Sequence, residues 1–478
     1  MIEKGNRYEK KNCATWRRTE KPAMTGQKYT REQIFSELPT GKAMRILAVP
    51  AIMGTLVMAV YNIVDTAFIG MLRSTESLSA VSVAFPIMSL LNAVGQIIGV
   101  GAATYIGMQL GAQKKEQADR TASCALAVSM LCGVFFAVLG LLLMDPIFRA
   151  FGASEAVLPF AHRYGRWMFV NAILAIPNQA LNNIARAETN ARRSAIAMAS
   201  GAIVNMLLDP IFMFDFGLGL GVAGASLATV VGQAVTFSVL ISYFLKKKSL
   251  LHISVKNIRP NKEMILSVLK IGAPSGASQV LASAAVAVTN IIAAHYGDPV
   301  VAAVGIVLKV ITFGQFILFG YVQGFQPIAS YNYGARNMER FKSAFRNAMK
   351  VVVTVCLVLT GLYIVFRVPL LRIFTEDPAI LDAAEPFLVS QVVLYTAMGV
   401  MFLITALLQS VGQGAKGILV SVSRQGLFFF PAILLFTRLY GLTGLYVTQP
   451  VCDALTLVLA LFLFFRVRKT VLDKMERA

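Results

Sequence analysis

The sequence predicts an all-α polytopic membrane protein, with twelve transmembrane helices in two pseudo-symmetric six-helix lobes around a central cavity. Three observations carry this. Of 478 residues, 56% are hydrophobic and only 14% charged, with a mean hydropathy of +0.67, whereas a soluble domain carries about 25% charged residues. Twelve stretches are long and apolar enough to cross a bilayer, which takes ~20 residues. The second half of the chain repeats the first at an offset near 223 residues.

This composition excludes a soluble enzyme, a disordered chain and a nucleic-acid binder. The net charge of +20 reads as loop charge at a membrane rather than as a nucleic-acid footprint. Of the five cysteines, Cys124, Cys132, Cys356 and Cys452 lie in apolar runs, with no Cys-x-x-Cys pair, so disulfide and zinc readings fail. Residues 1–43 are polar and basic and hold no apolar signal segment. Within them, Lys4, Arg7, Lys10, Lys11, Arg17 and Arg18 fit solvated disorder or contact with anionic lipid, and Thr30 to Leu38 a short interfacial helix.

The expected spans are approximately 46–71, 79–106, 121–144, 164–185, 194–214, 221–245, 264–294, 300–328, 345–366, 386–411, 417–437 and 441–465. Prolines within them, among them Pro50, Pro177, Pro210, Pro274 and Pro431, mark kinks, because each removes one helical hydrogen bond. Twelve spans put both termini on one side. That side receives 35 Lys and Arg against 7 on the other, which predicts cytoplasmic termini in a plasma membrane.

The repeat defines the domains. Leu47-Ala48-Val49-Pro50 corresponds to Ile271-Gly272-Ala273-Pro274, Leu110-Gly111-Ala112-Gln113 to Tyr333-Gly334-Ala335-Arg336, and Arg149-Ala150-Phe151 to Arg372-Ile373-Phe374. Six spans per copy give both copies the same topology, related by an axis along the membrane normal, as in proteins whose halves rock around a shared cavity. The expected organisation is a basic tail at 1–43, a first lobe at 44–245, a connector at 246–263, a second lobe at 264–466 and a tail at 467–478.

Charges inside spans are expensive and therefore candidates for function. Asp65 in span 1 and Asp209 in span 5 each lie about five residues from the outer end of their span, so they are expected at one level of the first lobe, sharing a cavity. Asn205 is four residues before Asp209 and shares its helix face. Pro210 leaves the carbonyl of Met206 without its helical donor, and Thr229 in span 6 adds a hydroxyl. Oxygen ligands without sulfur or imidazole suit a hard cation or a proton. Each of these residues also has a structural reading, as a kink cap or an interhelical hydrogen-bond partner. Lys309 and Asp453 form a possible charge pair in the second lobe, whereas Arg424 is expected to snorkel to the interface. The run Gly217-Leu218-Gly219-Leu220-Gly221 lacks the Lys-Ser/Thr ending of a phosphate loop and reads as a turn into span 6.

Over about residues 35–465 the chain resembles a multidrug and toxic compound extrusion (MATE) transporter. The residues that carry the likeness are Pro50 with Tyr61-Asn62-Ile63-Val64-Asp65-Thr66-Ala67-Phe68-Ile69-Gly70, then Gln109-Leu110-Gly111-Ala112, Asn205 with Asp209-Pro210-Ile211-Phe212, Gly221 to Thr229, Gln326-Pro327-Ile328 and Tyr331-Asn332-Tyr333-Gly334-Ala335. The resemblance implies a cation-coupled antiporter that exports bulky, often cationic and lipophilic compounds, works without a cofactor or catalytic residues, and is a monomer. It places the coupling site, for Na⁺ or H⁺, at Asp65, Asn205, Asp209 and Thr229, in the branch of the family with an acidic first lobe. A drug pocket is expected to involve Met58, Phe68, Phe212 and Met213. The rival reading is a lipid-linked precursor flippase of related fold, which should favour a cationic cavity.

Overall fold

The computed structural model describes residues 29–72, 74–246 and 249–472, so the basic residues at 4–18 lie outside the described part. The spans run Thr40–Met71, Thr75–Gly111, Lys115–Leu142, Leu158–Ala187, Ala191–Met213 and Val222–Leu245 in the first lobe. Those of the second are Lys262–Ala294, Asp298–Gly334, Met338–Val365, a bent pair Pro378–Val393 and Tyr395–Ser410, Gly414–Tyr440, and Leu442–Val467. Below they are numbered 1 to 12. The face bearing the start of span 1 and the end of span 12 is called the terminal face.

Backbone geometry repeats with the sequence. Gln113 and Arg336 both take the left-handed conformation, at φ 60° and 56°, in the turns after spans 2 and 8. Gly221 and Gly441 share φ 57° and ψ −133° at the starts of spans 6 and 12. The loop before Gly221 folds back as a turn, with the amides of Leu218 and Leu220 donating to Ile211 and Phe212 carbonyls at 2.8 and 2.9 Å.

Among the described residues, ten helices are apolar enough to span a membrane alone, and the bent pair makes an eleventh. Span 4 is the twelfth. Asn178, Asn182, Asn183 and Arg186 leave it too polar to qualify by hydropathy, yet all four are buried. It packs against spans 2, 3 and 6, so protein and not lipid is its solvent. Span 10 breaks at Leu394 with a 45° bend; the next residue, Tyr395, donates its hydroxyl to the Ile311 carbonyl of span 8 at 3.1 Å, which fixes the second half-helix.

The lobes meet on the terminal side. A Cβ on Gly272 of span 7 would overlap the Ile97 carbonyl of span 2, and one on Gly324 of span 8 the backbone of Ala48 in span 1. Among the described residues, hydrogen bonds between the lobes run from Thr40–Ser343 at the terminal face to Ser89–Ser283 near mid-helix, and none lies farther out. Hydrogen-bonded contact between the lobes is thus concentrated from the terminal face to the middle of the helices. Gly272→Ala is expected to lower stability by about 1–3 kcal/mol through overpacking; a melting temperature equal to that of the parent would refute this.

The segment before span 1 departs from the sequence expectation of a surface helix. Gln33–Glu37 forms a single π turn whose Ile34 and Phe35 are buried between the lobes. Phe35 stacks on Tyr331 of span 8, with ring centroids 4.3 Å apart. Arg340 of span 9 donates to the carbonyls of Ile34, Phe35 and Leu38 at 3.2, 2.7 and 2.5 Å, which satisfies backbone that a buried loop would otherwise leave bare. Toward the first lobe, Arg31 donates to the Tyr243 hydroxyl at 3.1 Å and pairs with Glu188 at 3.8 Å.

Glu188 also fastens the connector between the lobes, accepting from Ser249 Oγ at 2.7 Å and the Leu250 amide at 2.8 Å. The His252 amide donates to Asp119 at 2.9 Å. The connector's first part is thus docked on the first lobe. Burial raises the Glu188 pKa above the usual carboxylate range, against the opposing pull of Arg31, Tyr243, Ser249 and the Leu250 amide. A carboxyl with a raised folded pKa contributes stability below its unfolded pKa and loses it as pH rises through the folded value. Glu188→Gln should flatten that part of a melting-temperature profile between acid and neutral pH.

Candidate functional site

Spans 5 and 6 approach closely because glycines face each other: a Cβ on Gly232 would lie 2.7 Å from the Gly201 carbonyl. This brings three of the expected residues together. Asn205 Nδ2 is 3.5 Å from Asp209 Oδ1 and 3.3 Å from Thr229 Oγ1. Thr229 in turn donates to the Ala225 carbonyl at 3.0 Å, and the Tyr61 hydroxyl of span 1 lies 3.4 Å from its oxygen. Asp209 is fully buried. Asp65 is half-buried, six residues before the end of span 1, and lies within electrostatic range of Asp209, Tyr61 and Tyr164.

Two acceptor atoms in this group are left over. Asn205 Oδ1 and Asp209 Oδ2 are buried without a hydrogen-bond partner. A bare buried carboxylate oxygen carries a penalty of several kcal/mol unless a proton or cation reaches it. The donor set is amide, hydroxyl and carboxylate oxygen, which fits a hard monovalent ion or a proton. No cluster of three or more His, Cys, Asp or Glu side chains able to hold a metal occurs among the described residues.

Beside the group lies a cavity of about 70 Å³ inside the first lobe, lined by Met58, Tyr61, Asn178, Asn205, Thr229 and Gln233 among others. It has room for ordered water or a small ion. A drug-sized ligand needs roughly 300 Å³ or more, so this chamber does not hold one.

Several expectations need correction. Neither aspartate lines this chamber; Asp209 sits one turn beyond Asn205, and Asn205 and Thr229 form the wall. Of the four residues expected in a drug pocket, Met58 also lines this chamber. Met213 is buried in a small cluster with Ile69 and Ala225, and Phe68 packs edge-on to Phe214. Phe212 lies in the last turn of span 5, where its carbonyl accepts from the Leu220 amide of the following turn. Asp453 does not pair with Lys309, whose side chain is exposed. Its partner is Arg424, with Nε at 2.8 Å from Oδ1 and Nη2 at 3.4 Å from Oδ2. Arg424 therefore turns inward, its side chain 14% exposed, and does not snorkel.

The sequence reading also missed several polar residues of the cavity. Tyr61 was visible in the first motif but had been given no role. Asn178 donates to the Gln233 carbonyl and Oε1 at 2.8 and 2.7 Å. The available signal was the polar spacing in span 4, where Asn178 and Asn182 fall one turn apart.

A model of the MatE family matches the chain twice, over residues 50–211 and 274–434. The chain belongs to the MATE family. The two matches coincide with the two lobes of the repeat, and membership makes the chain a multi-pass membrane transporter, not an enzyme. The multidrug export protein MepA of Staphylococcus aureus (strain NCTC 8325 / PS 47) is 30% identical over 434 residues, covering 91% of this chain and 95% of the relative. MepA of Staphylococcus haemolyticus (strain JCSC1435) is likewise 30% identical, over the same shares of both chains. Among solved structures, an outward-facing multidrug resistance MATE transporter of the MOP superfamily superposes with a TM-score of 0.87 at 26% identity, covering 95% of this chain and all of that one.

Proposed function

We propose that this MATE transporter is a multidrug efflux antiporter that exports bulky, often cationic and lipophilic compounds in exchange for Na⁺ or H⁺. The observation that carries this reading is the pair of unpartnered buried oxygens, Asn205 Oδ1 and Asp209 Oδ2, beside Thr229 and within electrostatic range of Asp65. The ion enters from the face opposite the terminal one and takes the place of the missing hydrogen-bond donors. It offsets the charge of Asp209, and with Asp65 makes the first lobe the coupling lobe. Drug occupies the wider space between the lobes, because the 70 Å³ chamber is too small for it.

Transport proceeds by alternating access. The closed seam at Gly272 and Gly324 is the side that must part for drug to enter, and the terminal face is cytoplasmic in a plasma membrane, as the excess of Lys and Arg there favours. The chain works as a monomer. The likeness to MepA, a multidrug export protein, supports the substrate class. The test is dye export from proteoliposomes under separately imposed Na⁺ and pH gradients. One gradient is expected to drive export by the wild type and neither by Asp209→Asn; export by Asp209→Asn equal to wild type would overturn the assignment.

A further inference from the structure

The second lobe carries a buried ion pair where the first keeps its cavity. Counted from their matching starts at Ala191 and Gly414, Gly201 of span 5 and Arg424 of span 11 occupy the same place. Counted from Gly221 and Gly441, Gln233 and Asp453 correspond, as do Thr229 and Gln449. Gly201, Thr229 and Gln233 all line the first-lobe chamber. At the equivalent places of the second lobe, Arg424 fills the room that a glycine leaves open, and Asp453 accepts from Arg424 and, at 2.8 Å, from Gln449 Nε2. A π turn over Ser423–Leu427 presents the arginine. Asp453 is 3% exposed, so its charge is neutralised inside the protein and not by solvent.

We propose that Arg424 is a built-in cation: it permanently fills, in the second lobe, the role that an exchangeable Na⁺ or H⁺ fills in the first. The inference rests on the proposed coupling in the first lobe. Without the guanidinium, Asp453 would be an unpaired buried carboxylate, which must take up a proton or a cation. Oxygens suited to such an ion are at hand. Ser423 Oγ, next to Arg424 in the chain, and Thr456 Oγ1, one turn beyond Asp453, are both buried without a hydrogen-bond partner. With the Asp453 carboxylate they supply hydroxyl and carboxylate oxygens on the two helices that the ion pair joins, a chemistry that suits a hard cation. The arginine thereby limits coupling to one lobe.

The experiment measures, in proteoliposomes at equilibrium, the slope of the logarithm of the drug ratio against that of the ion ratio. One arm imposes a Na⁺ gradient at symmetric pH, the other a pH gradient at symmetric Na⁺. Arg424→Gln is expected to steepen the slope by one ion in one of the arms, and Arg424→Gln/Asp453→Asn to restore the wild-type slope. An unchanged slope for Arg424→Gln in both arms, or a raised slope that persists in the double variant, would overturn the proposal. Should Arg424→Gln not survive purification, the double variant, in which no buried charge stands alone, carries the test: a slope differing from wild type rejects the built-in cation. Asp209→Asn is run alongside. If it keeps the wild-type slope, the first-lobe assignment fails, whatever Arg424→Gln does.

Discussion

Asp209→Asn is expected to abolish ion-driven accumulation of drug against a gradient while leaving the protein folded. The amide keeps the shape of the carboxylate and can still meet Asn205 and Thr229, but it has no charge that requires a counter-ion. At an ion-motive force of ~100 mV, each exchanged ion supports about 2.3 kcal/mol of drug electrochemical difference, roughly a fiftyfold ratio. That whole factor should vanish in Asp209→Asn, leaving downhill equilibration only. Asp65→Asn should reduce the ratio less, because Asp65 is half-buried and water can take over part of its neutralisation, whereas Asp209 is fully enclosed. Steady-state dye ratios in vesicles under a clamped gradient measure both, and equal ratios for Asp209→Asn and wild type would contradict the expectation.

Phe35→Ala is expected to cost about 3–5 kcal/mol of stability, the usual range for deleting a buried aromatic ring. The ring is 2% exposed and stacked on Tyr331, and the turn that carries it is held from both lobes, by Arg340 on one side and Arg31 with Glu188 on the other. The loss should therefore loosen the terminal seam as well as the turn. Thermal unfolding gives the first quantity; labelling of a cysteine introduced at Ser330, which faces Gly107 across the seam, gives the second. Unchanged melting together with unchanged labelling would show that the segment before span 1 does not clamp the lobes.

Much of the architecture was legible in the sequence because membranes impose simple rules. Every span must hide its backbone groups in helix, so long, mostly apolar runs mark all twelve, span 4 at 164–185 included. Less legible was anything that depends on tertiary neighbours. Ile34 and Phe35 are two apolar residues in a polar stretch, too few for any periodicity to register, and their burial depends on Arg340, some three hundred residues away. The break at Leu394 has no proline of its own and is set by the hold of Tyr395 on span 8.

The candidate site divides in the same way. Asn205 and Asp209 were placed together by helix periodicity alone, and Thr229, suggested by its hydroxyl in span 6, was assigned to them through the family likeness. The partner of Asp453 could not be read: Lys309 and Arg424 are both cations in apolar runs, and only the packing of span 11 on span 12 distinguishes the inward from the exposed one. The aromatic and Met side chains proposed for a drug pocket were chosen for chemistry without position. Met213, for one, lies in a small buried core with Ile69 and Ala225.

The most direct test of the central claim is ion release on drug binding by the purified protein, without a membrane gradient. In weakly buffered detergent solution with a pH indicator, or with ²²Na⁺ in a proximity assay, adding drug should displace H⁺ or Na⁺ from the wild type. Asp209→Asn should bind the same drug and release neither. Displacement by the variant at the wild-type level, or drug binding to the wild type with no ion released, would contradict a coupling site built on Asp209 and Asn205.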